Sequence, residues 1–226
     1  MNVLAVVAHP DDEILGCGAT FKKLADQGHR VSSCVLCSEA GARHDKPARE
    51  KLATVGERAA RMVGISEWMG LQFKNIEFNT VPHLEMVRAV EGAIARFKPD
   101  WIFTHHPNDL NVDHRVCFEA TTAAAMLPQR LSSDLDPTMI KRIYLFEILS
   151  STDWAPPLGE AFRPNSFFDV AATFDAKLKA LDAFEGALKP FPHSRSRENV
   201  INLAHLRGAQ AGLELAEAFT LIRDLN

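Results

Sequence analysis

No apolar run among these 226 residues approaches the roughly 20 that a membrane-spanning helix needs. A basic excess is also missing: 25 Lys and Arg stand against 29 Asp and Glu, for a net charge of −4. That balance gives neither nucleic acid nor an anionic membrane surface a footing. At the N-terminus no basic stretch precedes a signal-type apolar segment, and the apolar run at 3–8 is too short to be one. The expectation is a soluble, cytoplasmic protein with no membrane span and no nucleic-acid partner. Internal repeats, low-complexity tracts and linker-like segments are absent as well, so 1–226 reads as one domain with a sizeable core. Cysteine is scarce, with Cys17, Cys34, Cys37 and Cys117 only. Cys34 and Cys37 have C-x-x-C spacing inside a β-rich run, where residues i and i+3 point to opposite faces. Buried, reduced thiols are expected, without a shared metal or disulfide. Finally, no G-x-G-x-x-G follows the first apolar run, which speaks against a dinucleotide fold of the usual kind.

What is present is concentrated at 3–18, reading VLAVVAHPDDEILGCG. Residues 3–8 have the length and β-branched content of a buried strand. The strand runs directly into His9, Pro10, Asp11, Asp12 and Glu13. One imidazole and three carboxylates therefore sit at the carboxyl end of a first strand, where open α/β sheets bind their ligands. Crowding such groups against a buried strand is costly unless a cation or protons offset their repulsion.

The pattern continues as strand, polar loop and helix. Helices are expected at 12–26, 47–63, 84–97, 113–126 and 175–184, and strands at 31–37, 67–71, 101–104, 140–149 and 167–170. The last stretch, 200–225, reads as one long or broken helix, and 154–164, rich in Pro and Gly, as a loop. Repetition at this interval predicts a Rossmann-like α/β fold: a mostly parallel sheet, helices on both faces, and the active site at the carboxyl ends of the strands.

Two strand-end loops, about a hundred residues apart, each offer histidine and aspartate. His9 and Asp12 from the first and His114 from the second make a two-histidine, one-carboxylate set with positions open for water and substrate. Asp11 is then a spare carboxylate beside a cation-activated water whose proton it can take. The chemistry indicated is metal-assisted hydrolysis of a compound with a polarisable carbonyl.

Residues 8–13 (AHPDDE) with Gly16-Cys17-Gly18 resemble the first signature of the PIG-L-type (LmbE-like) de-N-acetylases. Residues 104–107 (THHP) with 111–115 (NVDHR) resemble the second. Leu206-Arg207-Gly208 and Ala216-Glu217-Ala218-Phe219 resemble the C-terminal segment. The resemblance implies a Rossmann-like domain and zinc-dependent removal of acetyl from an N-acetylated sugar. It places His9, Asp12 and His114 as ligands of one Zn2+ per chain (other divalent metals being possible) and Asp11 as general base. Many members carry a histidine where this chain has Asn111, so Asn111 is expected to donate to the oxyanion without serving as general acid. For the acid the candidates are Asp11, then His193, then His106. Arg43, in a strand-end loop, and His106 are candidate substrate contacts. Glu13 either orients a ligand or is first-turn helix charge; Asp113 either orients a neighbour or caps its helix. The substrate expected is a small N-acetylated sugar or sugar conjugate. An amidase acting on another N-acyl or thiol-conjugate compound, or a non-catalytic metal- or sugar-binding protein, is the alternative. A homo-oligomeric state is left open.

Overall fold

Residues 3–8 are all apolar and all fully buried, and a strand buried on both faces is what the centre of a parallel sheet requires. In the computed structural model, which describes residues 1–37, 49–127 and 139–226, they form most of β1 (Asn2–Val7) and the turn after it. The elements that follow are α1 (Asp12–Asp26), β2 (Arg30–Val35), α2 (Arg49–Met62), β3 (Ile65–Gly70) and a single 3-10 turn (Phe78–Thr80). Then come α3 (His83–Phe97), β4 (Trp101–His105), α4 (Val112–Met126), β5 (Arg142–Phe146), β6 (Ser166–Asp169), α5 (Phe174–Ala183), α6 (Arg197–Ala211) and β7 (Ala216–Asp224).

The strands build one seven-stranded sheet in the order β3-β2-β1-β4-β5-β7-β6. The first five of these are parallel; β7 runs antiparallel to both β5 and β6. The fold is therefore the Rossmann-like α/β architecture expected, with an antiparallel margin. Because side chains alternate along a strand, β1 feeds two cores. Val3, Ala5 and Val7 join Phe21, Ala60, Leu181 and Val200 on the face covered by α1, α2, α5 and α6. Leu4, Val6 and Ala8 join Met86, Val90, Cys117 and Ala120 on the face covered by α3 and α4. Strand order reverses between β1 and β4, and the crevice at such a switch point, at the carboxyl ends of the strands, is the natural binding place.

Two expectations are corrected. The stretch 200–225 is not helical throughout: α6 stops at Gly212, whose φ of +71° closes the helix, and Ala216–Asp224 is a strand. Its Ala, Glu and Leu content favours helix locally, but pairing with β5 and β6 on either side overrides propensity. Cys34 and Cys37 also do not face opposite ways. The strand ends at Val35, alternation lapses, and both thiols pack into the core under α3 and α4. All four cysteines are nonetheless buried and outside any disulfide. No helix among the described residues is long and apolar enough to cross a membrane.

Candidate metal centre

The turn from β1 into α1 is tight. Asp12 N donates to His9 O at 3.3 Å, and Asp11 carries a φ of +103°. A left-handed conformation costs a non-glycine residue on the order of 1–2 kcal/mol, and such strain collects at functional sites. It places His9, Asp11 and Asp12 side by side above the carboxyl end of β1. Opposite them, β4 ends in His105, and the following loop leads into α4 with His114 in its first turn.

One ligand atom from each of His9, Asp12 and His114 lies within 4.8 Å of the others, a spread that suits a single cation. Asp12 Oδ2 is the hub: it accepts from His9 N at 2.8 Å and lies 3.3 Å from His9 Nδ1 and 3.4 Å from His114 Nε2. The far nitrogen of each imidazole is held by a carboxylate. His9 Nε2 is 3.0 Å from Asp113 Oδ2, and Asp113 itself accepts from Ile76 N (2.6 Å) and Phe78 N (3.1 Å). His114 Nδ1 is 3.2 Å from Asp109 Oδ2, and Asp109 accepts from Ser151 Oγ, from Thr152 Oγ1 at 2.8 Å and from Asn111 N at 2.8 Å. Carboxylates that fix the outer nitrogen of a histidine turn the inner one toward a cation and raise its basicity. The donor set therefore fits a divalent metal such as zinc, with room left by a three-residue set.

The electrostatics agree. Burial works against charge on His114, yet the Asp12 and Asp109 carboxylates overcome it and push its pKa up to about 10. Burial likewise opposes ionisation of Asp12, but the charge on His114, with hydrogen bonds from His114 and His9, holds it well below the usual carboxylate range. Asp109 is drawn down to about 2 against its burial, by hydrogen bonds with His114 and Ser151. Burial and the neighbouring His114 push His105 down to about 3, so it is neutral. Without a cation, then, protonated His114 sits between two carboxylates. Since its folded pKa of about 10 exceeds the ordinary 6.5, it stabilises the ion-free fold fully below pH 6.5 and progressively less as pH rises through 10. A metal needs the neutral imidazole. Zinc binding at pH 7.5 is accordingly expected to release a proton from His114, with apparent affinity rising about tenfold per pH unit for each proton displaced. Calorimetry in two buffers of different ionisation heat counts that proton.

The remaining candidates fall around this cluster unevenly. Asp11 lies beside it, with Arg195 Nη1 3.6 Å from its Oδ2 and both side chains largely covered. Asn111 caps α4 through its Oδ1, which accepts from Asp113 N at 2.9 Å. The helix cap is thus Asn111, and Asp113, expected either to cap the helix or to orient a neighbour, is the residue that orients His9. His106 is buried, but its Nδ1 accepts from Asn108 N at 3.1 Å and its ring packs on Phe162, 5.5 Å away. His193 meets Trp154, ring to ring at 5.4 Å, and accepts from Arg195 N. Arg43 lies outside the described residues. Glu13 is buried, bonds Trp68 Nε1 and Asp11 N, and is pushed up to about 8 by burial, with Asp11 and Asp12 adding to it.

Sequence reasoning missed Asp109, Ser151, Thr152, His105 and Arg195. His105 is stacked on His114 at 4.0 Å, accepts from Ala8 N at 2.9 Å, and keeps a buried Nδ1 with no hydrogen-bond partner among the described residues. The signal for His105 and Asp109 was their place in the loop that carries the second signature. The signal for Arg195 was its place two residues after His193.

These features define an open α/β protein with a two-histidine, one-carboxylate cluster at the sheet's switch point. The model of the PIG-L family, described as GlcNAc-PI de-N-acetylase, matches residues 4–125, more than half of the chain. The chain belongs to that family. A probable N-acetyl-α-D-glucosaminyl L-malate deacetylase of Bacillus cereus is 26% identical over 194 residues, covering 80% of this chain and 81% of the relative. The diacetylchitobiose deacetylase of Thermococcus kodakarensis is 27% identical over 206 residues, 81% of this chain and 69% of that one. Among solved structures, a conserved protein from Thermus thermophilus (TT1542) superposes with a TM-score of 0.78 at 22% identity over 100% of this chain and 97% of its own. The diacetylchitobiose deacetylase of Pyrococcus horikoshii gives 0.75 at 21% identity, covering 98% and 83%. A 4-carboxy-2-hydroxymuconate hydratase from Pseudomonas putida gives 0.76 at 18%, covering 100% and 98%. At these identities the solved structures speak for the fold.

Proposed function

We propose that this chain is a zinc-dependent N-deacetylase that hydrolyses the acetamide of a small amino sugar or sugar conjugate, with His9, Asp12 and His114 holding the cation. The observation that carries the reading is the pair of inward-turned imidazoles, each backed by a carboxylate, converging on Asp12 Oδ2 beside Asp11. When bound, the cation supplies Lewis acidity toward the acetyl carbonyl and toward water.

The chain's own residues do the rest. Asp11 takes the proton of the attacking water and is first in line to return it to the departing amine. Arg195 braces Asp11, with its Nη1 3.6 Å from Asp11 Oδ2. Asn111 commits its Oδ1 to the α4 cap, which leaves its amide nitrogen as the donor toward the developing oxyanion. His193 stands on the same segment as Arg195 and is the second donor; His106 and Arg43 remain proposed substrate contacts. The two curated relatives act by name on glucosaminyl malate and diacetylchitobiose, which supports an N-acetylglucosamine unit as the reacting sugar.

The fold also carries a hydratase, so the reaction must be tested directly. The experiment is acetate release from N-acetylglucosamine, diacetylchitobiose and N-acetylglucosaminyl malate, before and after chelation. Chelator-sensitive acetate from at least one is expected. No acetate from these or from other N-acyl amines, in protein that holds its metal, would turn the reading to a different reaction or to binding alone.

A further inference from the structure

Lys177 on α5 and Glu217 on β7 form a 2.7 Å ion pair with side chains only 7% and 5% exposed, on elements that carry none of the metal-cluster residues or their carboxylate partners. A buried pair of this kind is by itself weak evidence for stability, because desolvation offsets most of the attraction. Its other bonds say more. Glu217 Oε1 accepts from Ala19 N at 3.2 Å and Oε2 from Thr20 N at 2.7 Å. Lys177 Nζ donates to Leu15 O at 2.7 Å. Just ahead of α5, Thr173 Oγ1 donates to Ala19 O at 2.8 Å.

All of these are main-chain groups from the interior of α1, where a regular helix satisfies its own donors and acceptors. Side chains that enter the ladder there are an established cause of helix bending. The turn N-terminal to the entry point begins with Asp12, the hub of the cluster, and Leu15 closes it. The turn that follows it is seated closely from outside. A Cβ on Gly16 would come within 2.5 Å of the Phe146 ring, and one on Gly18 within 3.2 Å of Lys177 Cγ.

We infer that Lys177 and Glu217 are positioning residues. By entering the α1 ladder from α5 and β7, they set the angle at which the first turn presents Asp12 to His9 and His114. The inference rests on the metal reading given above, and its test separates the two.

Two variants are compared with wild type: the double Lys177→Met/Glu217→Met, which leaves no lone buried charge, and Glu217→Gln, which keeps one acceptor. Leu178→Ala, a core truncation on the same helix, controls for stability loss alone. Cobalt affinity and the cobalt visible spectrum are read on each, beside the thermal midpoint. Both variants are expected to bind cobalt about tenfold or more weakly with an altered spectrum, while Leu178→Ala binds as wild type does. Wild-type affinity and spectrum in both, or losses no larger than in Leu178→Ala, would overturn the inference. If the double variant does not fold, Glu217→Gln decides alone by the same criteria. A wild-type protein that binds no cobalt would instead overturn the metal reading, and this inference with it.

Discussion

Asp11→Asn is expected to keep its cation and lose turnover by about 10²- to 10⁴-fold, the usual worth of a positioned general base. Asparagine suits the backbone, since it tolerates the left-handed region better than most residues, and Asp11 sits at φ +103°. It also occupies the same space beside Arg195. What it lacks is a site for the proton. Metal content should therefore match wild type while kcat falls at every pH. Retention of full activity would remove Asp11 as base; loss of the metal would make it a structural part of the centre.

Asp12→Ala has the opposite signature. Asp12 Oδ2 stands 3.3 Å from His9 Nδ1, 3.4 Å from His114 Nε2 and 3.4 Å from His105 Nε2, and accepts from His9 N at 2.8 Å. Its removal deletes the one carboxylate of the ligand set and leaves three imidazoles facing one another across the gap. Neither Asp109 nor Asp113 can take over, because each is engaged on the outer nitrogen of its histidine and by further donors. The expected result is no stoichiometric zinc and acetate release at background. The two substitutions, one residue apart, should thus separate metal without turnover from neither, a contrast that general destabilisation would not produce.

Much of this was legible in the chain because the signals are local. An uninterrupted apolar run, 3–8, ending in His-Pro-Asp-Asp announces a buried strand and a charged strand end in one glance. Polar loops and glycine stops bound most of the helices. The cluster of His9, Asp12 and His114 was readable because two of its members share one turn and the third opens a helix after another strand. The residues that hold the triple were not readable in the same way. Asp109 meets Ser151 and Thr152, and His9 meets Asp113, across 42, 43 and 104 positions of sequence; Asp113 was a candidate orienting residue and Asp109 lies in the second signature's loop, but nothing local marks which partners they meet. The misreading at β7 has the same origin. Residues 216–224 are composed like a helix, and only the edges of β5 and β6, supplied by distant segments, make them a strand. Glu217 was noticed as part of a motif, but its bonds to the interior of α1 appear only once the chain is folded.

The most direct single measurement is elemental analysis of wild-type protein and Asp12→Ala after identical reconstitution with zinc and removal of excess. One equivalent in wild type and none in the variant is the result expected of a centre built on His9, Asp12 and His114. Wild-type protein without metal, or equal metal in both proteins, would contradict it.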